Sequence, residues 1–282
     1  MNETPLIFTD LDGTLLDHFS YSFDAAKSTL SALKSRHIPV IPTTSKTAPE
    51  LEELMGELSL SGPFIIENGA AIYMPEGYFP NKPQDAKTVG NYWVIELVEQ
   101  AEVWRDIVSQ LTPDYPELFT QFSQMSVENI AMLTELSHEK AALASQRGYG
   151  EPVFWQGTKG QLNQFIEDIN KRGANVLIGG RFIHVSGRCN KGRAMLKLAQ
   201  EYKNQYPGET FFTLATGDGE NDVDMLNMSD IAGIIKSPVH KKPTLSRTED
   251  VLISNHFGPA GWAEVVHLAI PNIDNAKERK HG

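Results

Sequence analysis

The sequence predicts an α/β protein: an open parallel sheet covered by helices and interrupted by an inserted α+β domain. Short apolar runs at residues 6–8, 38–41 and 64–66 each stop at a polar cluster. Between them apolar residues recur at helical spacing, and the same texture returns after residue 188 once a stretch of different character has ended. Runs of this kind suit strands buried on both faces, which in α/β proteins lie parallel under a helical cover.

Leu6, Ile7 and Phe8 form the first strand, which ends at Thr9-Asp10-Leu11-Asp12-Gly13-Thr14. Ala26, Leu30 and Leu33 mark a helix over one face of the sheet. The run 38–41 is the next strand and ends at Thr43-Thr44-Ser45-Lys46; a helix then opens near Pro49 and carries Leu51, Leu54, Met55 and Leu58. The run 64–66 is a third strand, ending at Glu67-Asn68-Gly69. From 85 to 187 the parallel pattern breaks. This stretch holds a strand at 93–97, a helix through Val103, Ile107 and Leu111, helix formers over 126–146, and strands and a helix between 152 and 186. The expected division is therefore 1–84 with 188–282 as the core and 85–187 as the insert. A helix from Lys191 carries Ala194, Leu198 and Ala199, and a strand at 211–215 runs into Thr216-Gly217-Asp218-Gly219-Glu220-Asn221-Asp222. Short strands at 231–235 and 251–253 close the core, and the tail from Asn272 is polar and expected to fray.

Composition narrows the partners. The 282 residues carry a formal net charge of −11, which argues against general nucleic-acid binding because a phosphate backbone needs clustered cations. Cys189 is the single cysteine, so neither an intramolecular disulfide nor a cysteine metal site is available, and it reads as an inert, partly buried residue. No run of about eighteen apolar residues suggests a membrane span. Met1 to Pro5 lacks the basic start of a signal peptide, so the expected location is cytoplasmic.

The polar clusters follow strands, and the carboxyl edge of an open α/β sheet is where ligands bind. Asp10 and Asp12 flank Leu11 and point to one side of an extended chain, with Gly13 allowing a sharp turn. Asp218 and Asp222 form a second acidic cluster. Carboxylates brought this close must bind a cation or shift their pKa values. Oxygen ligands without cysteine or clustered histidine favour Mg²⁺ over Zn²⁺. The calcium-loop pattern fails, since Leu15 and Val223 stand where its glycine belongs. Thr44, Ser45, Lys46 and Lys191 supply hydroxyls and cations for a phosphate. There is no P-loop, no third glycine at dinucleotide-binding spacing after Gly217-Asp218-Gly219, and no serine in a G-x-S-x-G setting.

Taken in order, Asp10-Leu11-Asp12-Gly13-Thr14, Thr44-Ser45-Lys46, Lys191 and Gly217-Asp218-Gly219-Glu220-Asn221-Asp222 resemble the four motifs of the haloacid dehalogenase superfamily. The resemblance implies a Rossmann-like parallel-sheet core with an inserted α+β C2-type cap. Within that superfamily the chain is more similar to the mannosyl-3-phosphoglycerate phosphatases, through Ser45-Lys46-Thr47, Glu67-Asn68-Gly69-Ala70, Gln146-Arg147 with Glu151-Pro152, and Gly179-Gly180-Arg181-Phe182 with His184. It implies Asp10 as nucleophile, Asp12 as general acid and base, and Thr44 and Lys191 around the transferring phosphoryl group. Mg²⁺ would be held by Asp10, the carbonyl of Asp12 and Asp218, with Asp222 supporting the shell or binding through water. The implied substrate is a small phosphorylated glycoside or sugar phosphate, met by Ser45, Lys46 and Asn221, with Arg181 on a carboxylate. His184 reads as a substrate contact or a structural histidine. Arg147 and Glu151 read as substrate contacts or as an ion pair within the cap. Other sugar- or polyol-phosphate phosphatases, a phosphomutase and a non-catalytic sugar-phosphate-binding protein share part of this pattern.

Overall fold

The structure, a computed structural model, describes residues 3–178, 181–271 and 273. The first stretch contributes β1 (Thr4–Thr9), α1 (Lys27–Ser35), β2 (Val40–Pro42), α2 (Ala48–Glu57), β3 (Phe64–Ile66), β4 (Ala71–Pro75), β5 (Lys87–Val89) and β6 (Tyr92–Glu96). The insert adds α3 (Ala101–Gln110), β7 (Phe119–Gln121), α4 (Val127–Thr134), α5 (His138–Ala144), β8 (Gly150–Trp155), α6 (Lys159–Lys171), β9 (Asn175–Ile178) and β10 (Ile183–Ser186). The chain returns through α7 (Lys191–Gln205), β11 (Phe211–Gly217), α8 (Val223–Met228), β12 (Ile231–Lys236), β13 (Val251–Phe257) and α9 (Gly258–Ala269).

The central sheet runs β13-β12-β11-β1-β2, and every neighbouring pair is parallel. Strand period decides the cover. Leu6 and Phe8 point into a cluster with Ala194, Met195 and Leu198 of α7, whereas Ile7 points the other way, to Leu30 and Leu33 of α1 and Trp262 of α9. Both faces are buried, as the uninterrupted apolar runs require. Helix α9 forms against local propensity, since Gly258, Pro259 and Gly261 disfavour a helix; the proline is tolerated in the first turn, and burial of Trp262, Val265 and Val266 outweighs the glycines.

Two expectations are corrected. The strand at 64–66 is not a laddered member of the parallel sheet. β3 pairs antiparallel with β4 in a second sheet, β3-β4-β6-β5, and meets the first through a parallel bridge from Thr43 to Ile65. The insert does not open at 85 either. β5 and β6 belong to this second sheet, with Trp93 and Ile95 packed on the α7 side and Val94 on the opposite side. A strand that is apolar on both faces needs cover on both, and only the core provides it here.

Beyond β6 lies an antiparallel sheet ordered β7-β8-β10-β9. Trp104 and Val108 of α3 and Phe165 and Ile169 of α6 cover one side, and Ile130 of α4 and Ala141 of α5 join a smaller cluster with Phe122 and Phe182. The core is thus a Rossmann-like parallel sheet carrying an inserted α+β cap. Among the described residues no helix is long and apolar enough to cross a membrane. Asn272, Gly179 and Gly180 lie outside the described residues.

Candidate active site

Register brings the first and last polar clusters together. Thr9 pairs with Thr216 across β1 and β11 and with Pro42 across β1 and β2, so Asp10, Thr44 and Asp218 leave three adjacent strands at one edge. The ladder carries on past the strand ends: the Asp10 amide donates to the Thr216 carbonyl at 2.9 Å, and the Thr43 amide to the Thr9 carbonyl at 2.7 Å. Gly13 then turns the chain with φ +84°, and a Cβ there would lie 2.6 Å from Asp218 Oδ2. Only glycine admits both that conformation and that approach.

Lys191 lies at the start of α7, whose Asn190 cap accepts from the Arg193 amide at 2.8 Å. Its side chain is fully buried and donates to Asp10 Oδ1 at 2.5 Å and Asp222 Oδ1 at 2.7 Å. The other oxygen of Asp222 accepts from the amides of Asp218 and Gly219 at 3.1 and 3.0 Å. Asp222 therefore orients the lysine and the 217–219 turn at once. Thr14 Oγ1 donates to Asp218 Oδ1 at 3.3 Å, while Asp218 Oδ2 is buried without a hydrogen-bond partner. One oxygen each from Asp10, Asp218 and Asp222 lies within 4.8 Å of the others.

The electrostatics of this cluster are unbalanced. Burial is the largest influence on Asp10; it outweighs Lys191 and, with Asp222 and Asp218 adding repulsion, pushes the carboxyl up to about 8. Burial also raises Asp218, against the neighbouring Ser237 hydroxyl, which favours the charged form. On Lys191 burial works against the charge, but Asp10 and Asp222 more than offset it and hold the ammonium above its ordinary range. Three buried carboxylates against one ammonium call for a further positive charge. The unpartnered Asp218 oxygen and an all-oxygen donor set fit a hard divalent cation.

Asp12, two residues further along the same turn, has Oδ2 accepting from Lys46 Nζ at 2.7 Å and Oδ1 buried without a partner. Thr44 is buried, its amide bonded to the Ile65 carbonyl and its carbonyl to the Asn68 amide, and its hydroxyl oxygen accepts from the Lys46 amide at 3.3 Å. Asn221 Nδ2 reaches Asn68 Oδ1 at 3.4 Å, joining the last cluster to the 67–69 turn.

The insert's residues divide differently from expectation. Arg147 and Glu151 do not pair with each other. Arg147 donates to the Ser45 carbonyl at 2.9 Å and lies 3.4 Å from Glu67, which also accepts from the Gly148 and Tyr149 amides. Ser45 and Arg147 thus pin the insert to the core. Glu151 is buried, with one oxygen on Arg105 and the other on the Ser123 amide, an arrangement that favours a structural role within the insert over the expected substrate contact. Arg181, expected on a carboxylate, is engaged by Glu135 and by the Leu133 carbonyl. Burial, helped by Arg147, pushes His184 down to about 3 and keeps it neutral. Burial likewise raises the Cys189 thiol to about 11, consistent with an inert residue. Sequence reasoning missed Glu67 as an anchor, and Tyr21 and Lys140 beside Lys46; Glu67 at least carried a signal, an acid at the head of a strand-end turn.

Comparison with known proteins agrees with this geometry. A profile of haloacid dehalogenase-like hydrolases matches residues 7–93. A glucosyl-3-phosphoglycerate/mannosyl-3-phosphoglycerate phosphatase of Methanococcoides burtonii is 36% identical over 271 residues, 96% of this chain and 98% of that protein. A mannosyl-3-phosphoglycerate phosphatase of Pyrococcus horikoshii is 36% identical over 248 residues, covering 88% of this chain and 97% of its own. The fold is shared with the sucrose-phosphatase of Synechocystis at a TM-score of 0.59 and 17% identity, over 97% of this chain and 99% of that one. Identity of this order along nearly the whole length shows that the chain belongs to the haloacid dehalogenase-like hydrolases, among their phosphatases.

Proposed function

We propose that this phosphatase is Mg²⁺-dependent and releases phosphate from a glycosyl-3-phosphoglycerate, with Asp10 as nucleophile and Asp12 as acid and base. The observation that carries the chemistry is Asp10 at a strand end, fixed by a buried ammonium, beside a second carboxylate with an unused buried oxygen. The substrate class rests on the names of relatives 34–36% identical to this chain, two of which name the glucosyl and mannosyl forms together.

The chain's own groups divide the work. Asp10 supplies the carboxylate that attacks phosphorus, and the aspartyl-phosphate splits one hard displacement into two easier ones. Lys191 holds that carboxylate and neutralises charge gathering on the phosphoryl oxygens, while the Thr44 hydroxyl donates to them. Asp12 protonates the departing alcohol and then takes a proton from the attacking water; Lys46 keeps it oriented for both. Asp10, the Asp12 carbonyl and Asp218 would hold Mg²⁺, with Asp222 supporting them through Lys191 and the 217–219 amides. When bound, the ion neutralises phosphate charge and keeps Asp10 ionised. The insert, pinned through Arg147, would close over the site and exclude water.

Phosphate release from glucosyl- and mannosyl-3-phosphoglycerate, set against simple sugar phosphates, tests the substrate. Preference for either glycoside is the expected result, and release spread evenly over the panel withdraws it. The metal has its own test. A carboxyl whose pKa rises on folding binds its proton more tightly in the folded chain, so the metal-free protein should lose stability as pH climbs from 3.8 toward about 8. Mg²⁺ replaces that proton, so the gain in melting temperature should be larger at pH 8 than at pH 6. At a hundredfold excess over Kd the stabilisation is about 2.7 kcal/mol. Asp218→Asn should lack it; an equal gain in that variant would remove Asp218 from the metal site.

A further inference from the structure

A cavity of about 250 Å³ opens beside Asp12's lysine, between the 16–24 loop, α2 and the insert's helix α5. Tyr21 stands at its mouth. The loop that carries it is knitted around Asp17, whose Oδ1 accepts from the Phe19 amide, the Ser20 amide and the Ser20 hydroxyl at 3.1, 2.9 and 2.8 Å. That network holds Tyr21 at φ +57°, a conformation a bulky residue adopts only when its surroundings impose it. Two ammoniums face the tyrosine ring: Lys46 Nζ at 5.6 Å from the core and Lys140 Nζ at 5.3 Å from the insert. Lys46 is committed to Asp12. Lys140 is exposed, and among the described residues no carboxylate pairs with it.

The cavity is polarised along its length. Cations lie at the catalytic end. Glu50 is spent on capping Thr47, and Glu53 and Glu57, which have no ion-pair partner among the described residues, lie one and two turns further along α2. Those two ends suit different chemistry. An unpaired ammonium takes a carboxylate; carboxylates accept hydrogen bonds from hydroxyls, and an aromatic ring packs against the apolar face of a sugar.

Building on the substrate class proposed above, we infer that this cavity is the leaving-group pocket: Lys140, positioned on Tyr21 and lining the cavity with Lys46, takes the glycerate carboxylate, and the Glu53–Glu57 end takes the hexose hydroxyls. Lys140 thereby fills the role expected of Arg181, whose guanidinium is engaged by Glu135. Because Lys140 sits on the insert and Tyr21 on the core, the pocket is complete only when the two are docked, as they are through the Thr47 hydroxyl on the Leu143 carbonyl at 3.1 Å.

The test compares kcat and KM of wild type, Lys140→Ala and Lys140→Arg on glucosyl-3-phosphoglycerate and on p-nitrophenyl phosphate, which has neither carboxylate nor sugar. Lys140→Ala should raise KM for the glycoside about tenfold with little change in its kcat, lowering selectivity over p-nitrophenyl phosphate by about the same factor. Lys140→Arg should recover most of it. For Tyr21, leucine should reproduce the KM effect and phenylalanine should not, since the ring rather than the hydroxyl holds the ammonium. Equal loss on both substrates, or none, overturns the pocket while leaving the phosphatase intact. A wild type that hydrolyses p-nitrophenyl phosphate and neither glycosyl-3-phosphoglycerate overturns the substrate reading and this pocket with it.

Discussion

Replacing Asp10 with Asn should abolish phosphate release, by about 10⁴-fold or more, and leave the fold intact. The amide keeps the shape of the carboxyl and can still accept from Lys191, but it cannot form an acyl phosphate. Stability should separate cleanly from activity. Asp10 resists ionisation up to about pH 8 in its buried setting, so a neutral amide suits the metal-free site at least as well as the acid does. The melting temperature at pH 9 without Mg²⁺ should therefore equal or exceed that of wild type. Activity above about one per cent of wild type would assign the nucleophile elsewhere.

Lys191→Met should have the largest effect on stability. Its ammonium is bonded to both Asp10 and Asp222, at 2.5 and 2.7 Å, and its side chain is fully buried. Removing one partner of a buried charged cluster costs about 3–5 kcal/mol, because the remaining charges stay desolvated and unpaired. The sign of the pH response follows. Lys191 is the group that opposes the upward shift of Asp10, so without it Asp10 gains its proton more readily in the folded state and unfolding by denaturant should show the deficit shrinking as pH falls toward 5. Adding Asp222→Asn should recover part of the loss, as expected for groups that share one interaction. A deficit below about 1 kcal/mol, or one indifferent to pH, would mean that water reaches the cluster and the lysine is not its counter-charge.

Much of this site was legible along the chain, and the reason is topological. Parallel strands end at a common edge, so polar residues that follow apolar runs are brought together whatever the loops do. Asp10, Thr44 and Asp218 needed no more than that, and Gly13 announced the tight turn between them. Lys191 was legible through its place at the head of an apolar helix, although its bond to Asp10 closes a loop of 181 residues. The second sheet was less legible. Trp93, Val94 and Ile95 form an apolar run that suits a core strand or an insert strand equally, and pairing with β4 decides between them. Helix α9 was hidden by its own glycines and proline, since local propensity there opposes a helix that only core burial stabilises.

The sequence by itself determined the fold class, the sheet edge at which the candidate site lies, and the acids, hydroxyl and lysine that gather there. Only the tertiary structure decided what the insert's charged residues do. Arg147 meets the Ser45 carbonyl across 102 positions, Glu151 turns inward to Arg105, Arg181 is held by Glu135, and Lys140 comes to rest on Tyr21. Each of these contacts depends on how two separately packed units dock. A long charged side chain on a helix surface has the same local signature whether it faces water, a neighbouring acid or a ligand. What distinguishes them is the distance to a partner far along the chain, which no periodicity or motif encodes.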